Sequence, residues 1–472
     1  MNTPHSTAAQ AQADALLWIP FGAFTRTSAD TLRRRLTCVV RGFRDDAEDV
    51  EIRNYVLDRD AQRVGVPIHF GLQLLQSCSL RGAYTLSKTL GDGRAIAVSK
   101  FPDPHHPKAS PNQAELMSAV LQHARGSMVT LVESPTGSGK TVVALNTIGR
   151  LQRAALIIVT NKVLAAQWRR EAALHLGLAD GDIGLVEGAK CEYLGKAIVV
   201  AVIHNLVMKP LPEDFVQQFG IVVWDEAHRL GAVMFSQSLK LFPCKHRIAL
   251  TATPTRKDGA ECLFLDYFGP PAVHGLSDAL PCTCRVVNFD TYIKDSTAMS
   301  SGELMNRLVH HPRRNDALVA IIQSLYLKGR HVLVLSDRVK HLQLLMRLCA
   351  KGARAIQAGD MGLFCRSYKD GKKKKQHNAK QLALVSDSAR VVFSTYGMGK
   401  EGLDIARLDA GLDATPRADG VQAIGRIRRP LPNKPRPVWF TIRDKGVPLL
   451  CAYTGARLRE YRENNVEVID HE

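Results

Sequence analysis

No stretch of this 472-residue sequence carries the roughly 18 consecutive apolar residues that a membrane-crossing helix needs. The start, MNTPHSTAAQAQADALLWIP, lacks the basic and long apolar regions of a secretory signal. It reads as a short disordered leader, and the expected location is intracellular. The ten cysteines are scattered, and the one close pair, Cys282 and Cys284, has no second pair at zinc-ligand spacing. Neither structural zinc nor disulfides are expected in that compartment. No internal repeat is visible at solenoid periods, which excludes stacked-repeat architectures.

Acidic charge is also short. Lys and Arg number 63 against 45 Asp and Glu, a net charge of +18, and residues 301–472 alone hold 31 basic against 17 acidic residues. Such an excess suits a polyanionic partner, because phosphate neutralisation releases counterions and gives affinity without sequence reading. A merely soluble basic surface is the alternative that charge leaves open.

The chain is long enough for two or three cores. Residues 1–105 alternate short apolar runs with charged clusters and predict a small N-terminal α/β accessory domain; SKFPDPHHPKASPN at 99–112 reads as a linker. From 129 onward the apolar runs MVTLV, AALIIV, AIVVAVI, GIVVW and HRIAL alternate with helix-spaced stretches, the rhythm of a parallel sheet covered on both faces. The rhythm restarts after PCTCRVVNFD with a helix-like stretch near 312–328, then HVLVL, ARVVF and PVWFTI. This predicts α/β domains at 106–280 and 285–472. The insert YKDGKKKKQHNAKQ, with Lys372 to Lys375, reads as a mobile loop that is either solvated, in contact with phosphate, or a nuclear import signal.

SPTGSGKT at 134–141 lies between a predicted strand and helix, as a phosphate-cradling loop requires. Ser134, Pro135, Thr136, Gly137, Ser138 and Gly139 would wrap the phosphates, Lys140 would reach the β and γ groups of ATP, and the Thr141 hydroxyl would ligate Mg²⁺. The strict pattern has Gly where Ser134 stands. WDEAH at 224–228 ends a buried strand in two carboxylates: Asp225 is placed to hold Mg²⁺ and Glu226 to polarise the attacking water. A Gly-rich surface turn or a solvated acidic edge would explain either motif alone; both together on one sheet point to nucleotide hydrolysis.

With LTATP at 250–254, STYGMGKEGLDI at 394–405 and QAIGRIRR at 422–429, the chain resembles superfamily 2 helicases with a DEAH signature, over roughly residues 111–450. The resemblance implies two tandem RecA-like motor domains. It implies that Gln113 reads adenine, and that Thr160 and Lys162 in VTNKVLAAQW contact the nucleic-acid backbone. His228, Thr251 and Thr253 would link nucleotide state to strand contact, Thr395 would touch the strand, and Gly402 and Asp404 would lie near the nucleotide. Gln422, Arg426 and Arg429 match the last motif, whose arginines stabilise charge spread over the breaking β–γ bond.

The strings TNKVLAAQW, LTATPTRKDG, VLVLSDRVKHLQLL and TYGMGKEGLDI look most like the group containing the xeroderma pigmentosum group B helicase, a phage recombination-associated helicase and transcript-release helicases of large DNA viruses. DNA is therefore the expected partner, with residues 1–105 helping to engage it. RNA is the alternative substrate. A non-catalytic scaffold of motor-like shape is the rival from another class, disfavoured by intact Lys140, Asp225, Glu226, Arg426 and Arg429.

Overall fold

The computed structural model describes residues 9–40, 50–77, 80, 84–106, 109, 112–135, 138–255, 259–276, 279–370, 373–401, 403 and 405–470. The chain divides into two compact units, Met1–Ser277 and Asp278–Glu472.

The first unit opens with strands β1 (Ala9–Ala13) and β2 (Leu17–Pro20), so residues 9–20 are sheet and not a disordered leader. Leu17 and Ile19 are fully buried, and that burial is what recruits a segment whose polar neighbours suggested a tail. Helix α1 (Arg26–Arg35) follows, capped by Thr25 in a reciprocal capping box with Ser28. Strands β3 (Thr37–Val40) and β4 (Val50–Arg53) form a two-stranded ribbon. Then come β5 (Val56–Asp58), β6 (Arg63–Val66), α2 (Ile68–Gln76) and β7 (Tyr84–Lys88). The small sheet runs β5-β6-β2-β1-β7.

The same unit continues through α3 (Gln113–Gly126), β8 (Val129–Glu133), α4 (Lys140–Leu151), β9 (Ala155–Val159) and α5 (Lys162–Leu176). It then runs through β10 (Ile183–Glu187), β11 (Lys190–Glu192), β12 (Ile198–Val202), β13 (Ile221–Trp224), β14 (His246–Thr251), α6 (Cys262–Phe268) and β15 (Val273–His274). The sheet order is β11-β10-β12-β9-β13-β14-β8-β15, parallel except for the β10–β11 hairpin. All five apolar runs predicted as strands are central strands, buried on both faces. β13 lies between β9 and β14, and β14 pairs with β8. The segments that follow β8, β13 and β14 therefore leave neighbouring carboxyl ends of one sheet.

The small and large sheets share one hydrophobic core, which runs from Ala11, Leu17 and Val66 through Leu131 and Val143 to Phe264. Polar anchors add to it. Arg35 pairs with Asp266 at 2.9 Å, Asn54 Nδ2 donates to Leu263 O at 3.3 Å, and Tyr267 OH donates to Ala15 O at 2.9 Å. A disulfide joins Cys38 to Cys262, against the expectation of free thiols; two cysteines 224 positions apart give no hint in sequence that β3 lies on α6. The start of the segment expected as a linker, and the stretch before it, lie along the larger sheet and its helices. Gly91 N donates to Pro243 O at 2.7 Å, Ser99 N to Leu176 O at 3.2 Å, and Phe101 stacks under Arg150 at 4.5 Å.

The second unit contains β16 (Cys282–Asp290), α7 (Pro312–Leu327), β17 (Val332–Ser336), α8 (Val339–Cys349), β18 (Met361–Phe364), β19 (Ser367–Asp370), β20 (Lys373–Gln376) and β21 (Val391–Thr395). It closes with α9 (Tyr396–Glu401), β22 (Ala410–Asp413), α10 (Val421–Gly425), β23 (Val438–Lys445), α11 (Pro448–Glu463) and β24 (Val466–Asp470). Its main sheet, β18-β21-β17-β22-β23-β16-β24, is parallel throughout. Pro312 at the first turn and His311 as cap start α7 where the pattern predicted a helix. The lysine-rich insert is not an irregular loop: β19 and β20 pair antiparallel, Tyr368 opposite Lys375. Lys372 lies outside the described residues. No helix of the described residues is long and apolar enough to cross a membrane.

Candidate nucleotide site

Helix α4 starts at Lys140, directly behind Gly139, whose φ of +79° is the left-handed conformation that glycine adopts without strain. The loop is braced from within. Ser134 Oγ donates to Ser138 Oγ at 2.6 Å, Ser138 Oγ donates to Pro135 O at 2.7 Å, and Lys140 Nζ donates to Ser134 O at 2.7 Å and Pro135 O at 3.0 Å. Ser134 in place of Gly is accommodated by Gly275, where a Cβ would stand 2.0 Å from Ser134 Oγ. Gln113 is buried, and its amide lies against Gly139, so the structure brings this residue to the phosphate loop. Thr141 is half-buried in the first turn of α4. Thr136 and Gly137 lie outside the described residues.

Asp225 and Glu226 leave the end of β13. Asp225 Oδ1 accepts from Glu226 N, and its Oδ2 accepts from the indole N–H of Trp168 at 2.8 Å. Burial, and then the neighbouring Glu226 carboxylate, push the Asp225 carboxyl up to about 6, while Trp168 and Lys140 pull the other way. Glu226 has a φ of +54°, a conformation costly for a residue with a Cβ and held here by the strand before it and the turn after it. Its Oε2 is buried and accepts no hydrogen bond from the described residues; His228 Nδ1 lies 3.3 Å away. An unsatisfied carboxylate oxygen at this depth fits a group that must take a proton from water.

The other predicted coupling residues gather here. His228 Nδ1 lies 3.4 Å from Thr251 Oγ1, and Thr251 Oγ1 donates to Thr253 O at 2.9 Å. Ser134 N donates to Thr251 O at 2.9 Å, which ties the phosphate loop to the same strand end. Glu226, His228, Thr251 and Thr253 thus form one chain of contacts. Sequence reasoning missed Trp168 as part of the site. With Leu164, Ala165, Ala172 and Leu176 it forms the buried face of α5, and its spacing there reads as plain core.

Thr160 and Lys162 flank Asn161, which caps α5 by accepting from Val163 N and Leu164 N. Lys162 is exposed and paired with Glu187 at 2.8 Å. In the second unit Thr395 ends β21 and Gln422 sits on α10, both half-buried. Arg426 is buried, with Nη1 donating to Leu403 O at 2.9 Å, which ties it to Leu403. Burial also draws the Arg429 guanidinium down to about 10. Gly402 and Asp404 lie outside the described residues. The sheet beneath is set by a buried network. Asp413 accepts from Tyr396 OH at 2.8 Å, Trp439 Nε1 at 2.8 Å and Thr441 Oγ1 at 3.0 Å, and pairs with Arg457.

Residues 106–256, which hold the loop, the paired carboxylates and the Thr251 segment, match the family described as Type III restriction enzyme, res subunit. The chain is similar to helicases of superfamily 2. A protein of Acanthamoeba polyphaga mimivirus named as an ATP-dependent RNA helicase is 25% identical over 321 residues, 65% of this chain and 59% of that one. A Haloarcula marismortui protein named as the DNA 3'-5' helicase Rad25 is 37% identical over 138 residues, 29% of this chain and 22% of that one. The chain thus spans under two thirds of the length of either relative. The crystal structure of T4 UvsW is 14% identical and covers 98% of this chain and 99% of its own at a TM-score of 0.39.

Proposed function

We propose that this chain, similar to helicases of superfamily 2, hydrolyses ATP and couples hydrolysis to movement on, or remodelling of, DNA. The observation that carries the hydrolytic part is Glu226: a buried carboxylate oxygen with no hydrogen bond from the described residues, beside Asp225 and wired through His228 to Thr251. The residues present fit a magnesium nucleotide. The Asp225 carboxylate and the Thr141 hydroxyl are oxygen donors of the hard kind that Mg²⁺ takes, with phosphates supplying further ligands. Bound there, the ion neutralises phosphate charge. Glu226 takes the proton of the attacking water, Lys140 exchanges the loop carbonyls for phosphate oxygens, and Arg429 supplies positive charge as the β–γ bond breaks.

DNA as the polymer is supported by the motif strings and by the haloarchaeal relative's name; the basic second unit suits either polymer. An RNA-directed motor is the second reading, favoured by the mimivirus relative's name over its longer match. Thr160, Lys162 and Thr395 are the proposed backbone contacts, and Lys162 would leave Glu187 to make one. The test is ATP turnover with single-stranded DNA, duplex DNA, branched DNA or RNA, with Glu226→Gln as control. Stimulation by DNA well above RNA is expected; stronger stimulation by RNA overturns the choice of polymer. Wild-type turnover in Glu226→Gln overturns the assignment of the base.

A further inference from the structure

Beside α1 and the strands β5 and β6, the accessory sheet holds a cavity of about 280 Å³ outside the nucleotide site. Its lining is aromatic and aliphatic, with Phe21, Phe24, Tyr55 and Leu57 prominent, and it includes the guanidinium-bearing residues Arg33 and Arg59. The three rings are half-buried, and Leu57 is 42% exposed, so apolar surface stays open to solvent. The opening is small, so the case for an occupant rests on the rings and the cationic side chains together and not on apolar area.

Charge says what binds. Helix α1, RTSADTLRRR, carries four arginines against one aspartate. Arg35 is committed to Asp266, whereas Arg33 and Arg59 are exposed. Arg33 lies 3.6 Å from the exposed Asp30, a pairing weak enough to yield to a phosphate. The space takes one ring system, too little for the row of anchors that a peptide helix presents. A flat π-face for Phe and Tyr together with anions for the flanking guanidiniums is the chemistry of a nucleotide in an unpaired strand.

We propose that this cavity binds one unstacked base of single-stranded nucleic acid, with the adjoining phosphates on Arg33 and Arg59. The inference rests on the nucleic-acid motor reading and deepens it. Occupancy would be felt by the motor, because Arg35 fixes the end of α1 to α6, the helix that follows the Thr251–Thr253 segment.

The experiment measures the affinity of full-length protein for a labelled DNA single strand and for the same strand made abasic, which keeps the phosphates and removes the bases. Tyr55→Leu is expected to weaken the normal strand about tenfold, within the range for one base on one aromatic ring, and the abasic strand less than about twofold. Phe24→Leu should repeat the pattern, which separates base stacking from a folding defect at one position. Arg59→Gln should weaken both strands alike. Equal loss on both strands for Tyr55→Leu and Phe24→Leu, or no loss on either, overturns the pocket. Stimulation of wild-type ATP turnover by nucleic acid tests the motor reading separately: if it persists while the pattern fails, the pocket alone falls, and if the wild type binds no nucleic acid, both fall.

Discussion

The indole N–H of Trp168 donates to Oδ2 of Asp225 at 2.8 Å, so the helix that begins at Lys162, just after Thr160, ends its first half on the carboxylate proposed to hold Mg²⁺. A shift of α5 along its axis would be read directly at that oxygen. The relationship joins two segments that sequence assigns to separate tasks.

Trp168→Phe keeps most of the packing and removes the donor that favours the charged form of Asp225. The folded pKa of about 6 lies above the ordinary 3.8, so the folded chain keeps this proton through a window, about pH 4 to 6, in which the unfolded chain has lost it. Stability from this group is full below that window and is lost as pH rises through 6. Without the indole N–H the folded pKa rises further. At limiting Mg²⁺ the acid limb of ATP turnover should move to higher pH in Trp168→Phe; a limb that stays put shows that the bond tunes nothing.

Gly139→Ala would force a Cβ into a left-handed conformation, at about 1–2 kcal/mol, and within 2.2 Å of Gln113 Nε2. Nucleotide affinity should fall at least tenfold, read by titration with a fluorescent ATP analogue.

Arg426 and Arg429 should separate. Arg426→Ala deletes the bond to Leu403 O in a buried setting, at about 1–3 kcal/mol, and should lower the thermal midpoint of the second unit along with turnover. Arg429→Ala should reduce turnover on the order of 10³-fold with nucleotide affinity changed only a few-fold, since its charge acts on the transition state. Equal losses of binding and turnover in Arg429→Ala would assign it to the ground state.

Asp413→Asn leaves the Arg457 guanidinium buried without its counter-charge, a change that costs about 3–5 kcal/mol. Calorimetry should show the second unit's transition fall while the first unit's holds. Coincident movement of both would mean that the units unfold together.

Strands were legible because fully buried parallel strands write continuous apolar runs, and the candidate nucleotide motifs stand out because phosphate chemistry would need Gly139, Lys140, Asp225 and Glu226 in short local strings. Packing partners distant in sequence were not. Trp168 looks like core, Gly275 looks like a turn, and nothing near Cys38 announces Cys262. The β19–β20 hairpin was hidden because its stability lies in backbone pairing, which lysine-rich side chains do not advertise. Residues 9–20 read as a tail since two short strands bury too few side chains to show a period.

The laid-down segment from Gly91 to Phe101 and the anchors on α6 make the accessory sheet a fixed ruler and not a swinging arm. A strand held at once by the Phe21–Tyr55 cavity and by the Thr160 end of α5 would span a constant number of nucleotides, whatever its sequence. The protected length in a nuclease footprint would then be a property of the fold, the same on every substrate, and would lengthen or blur only when those anchors are cut.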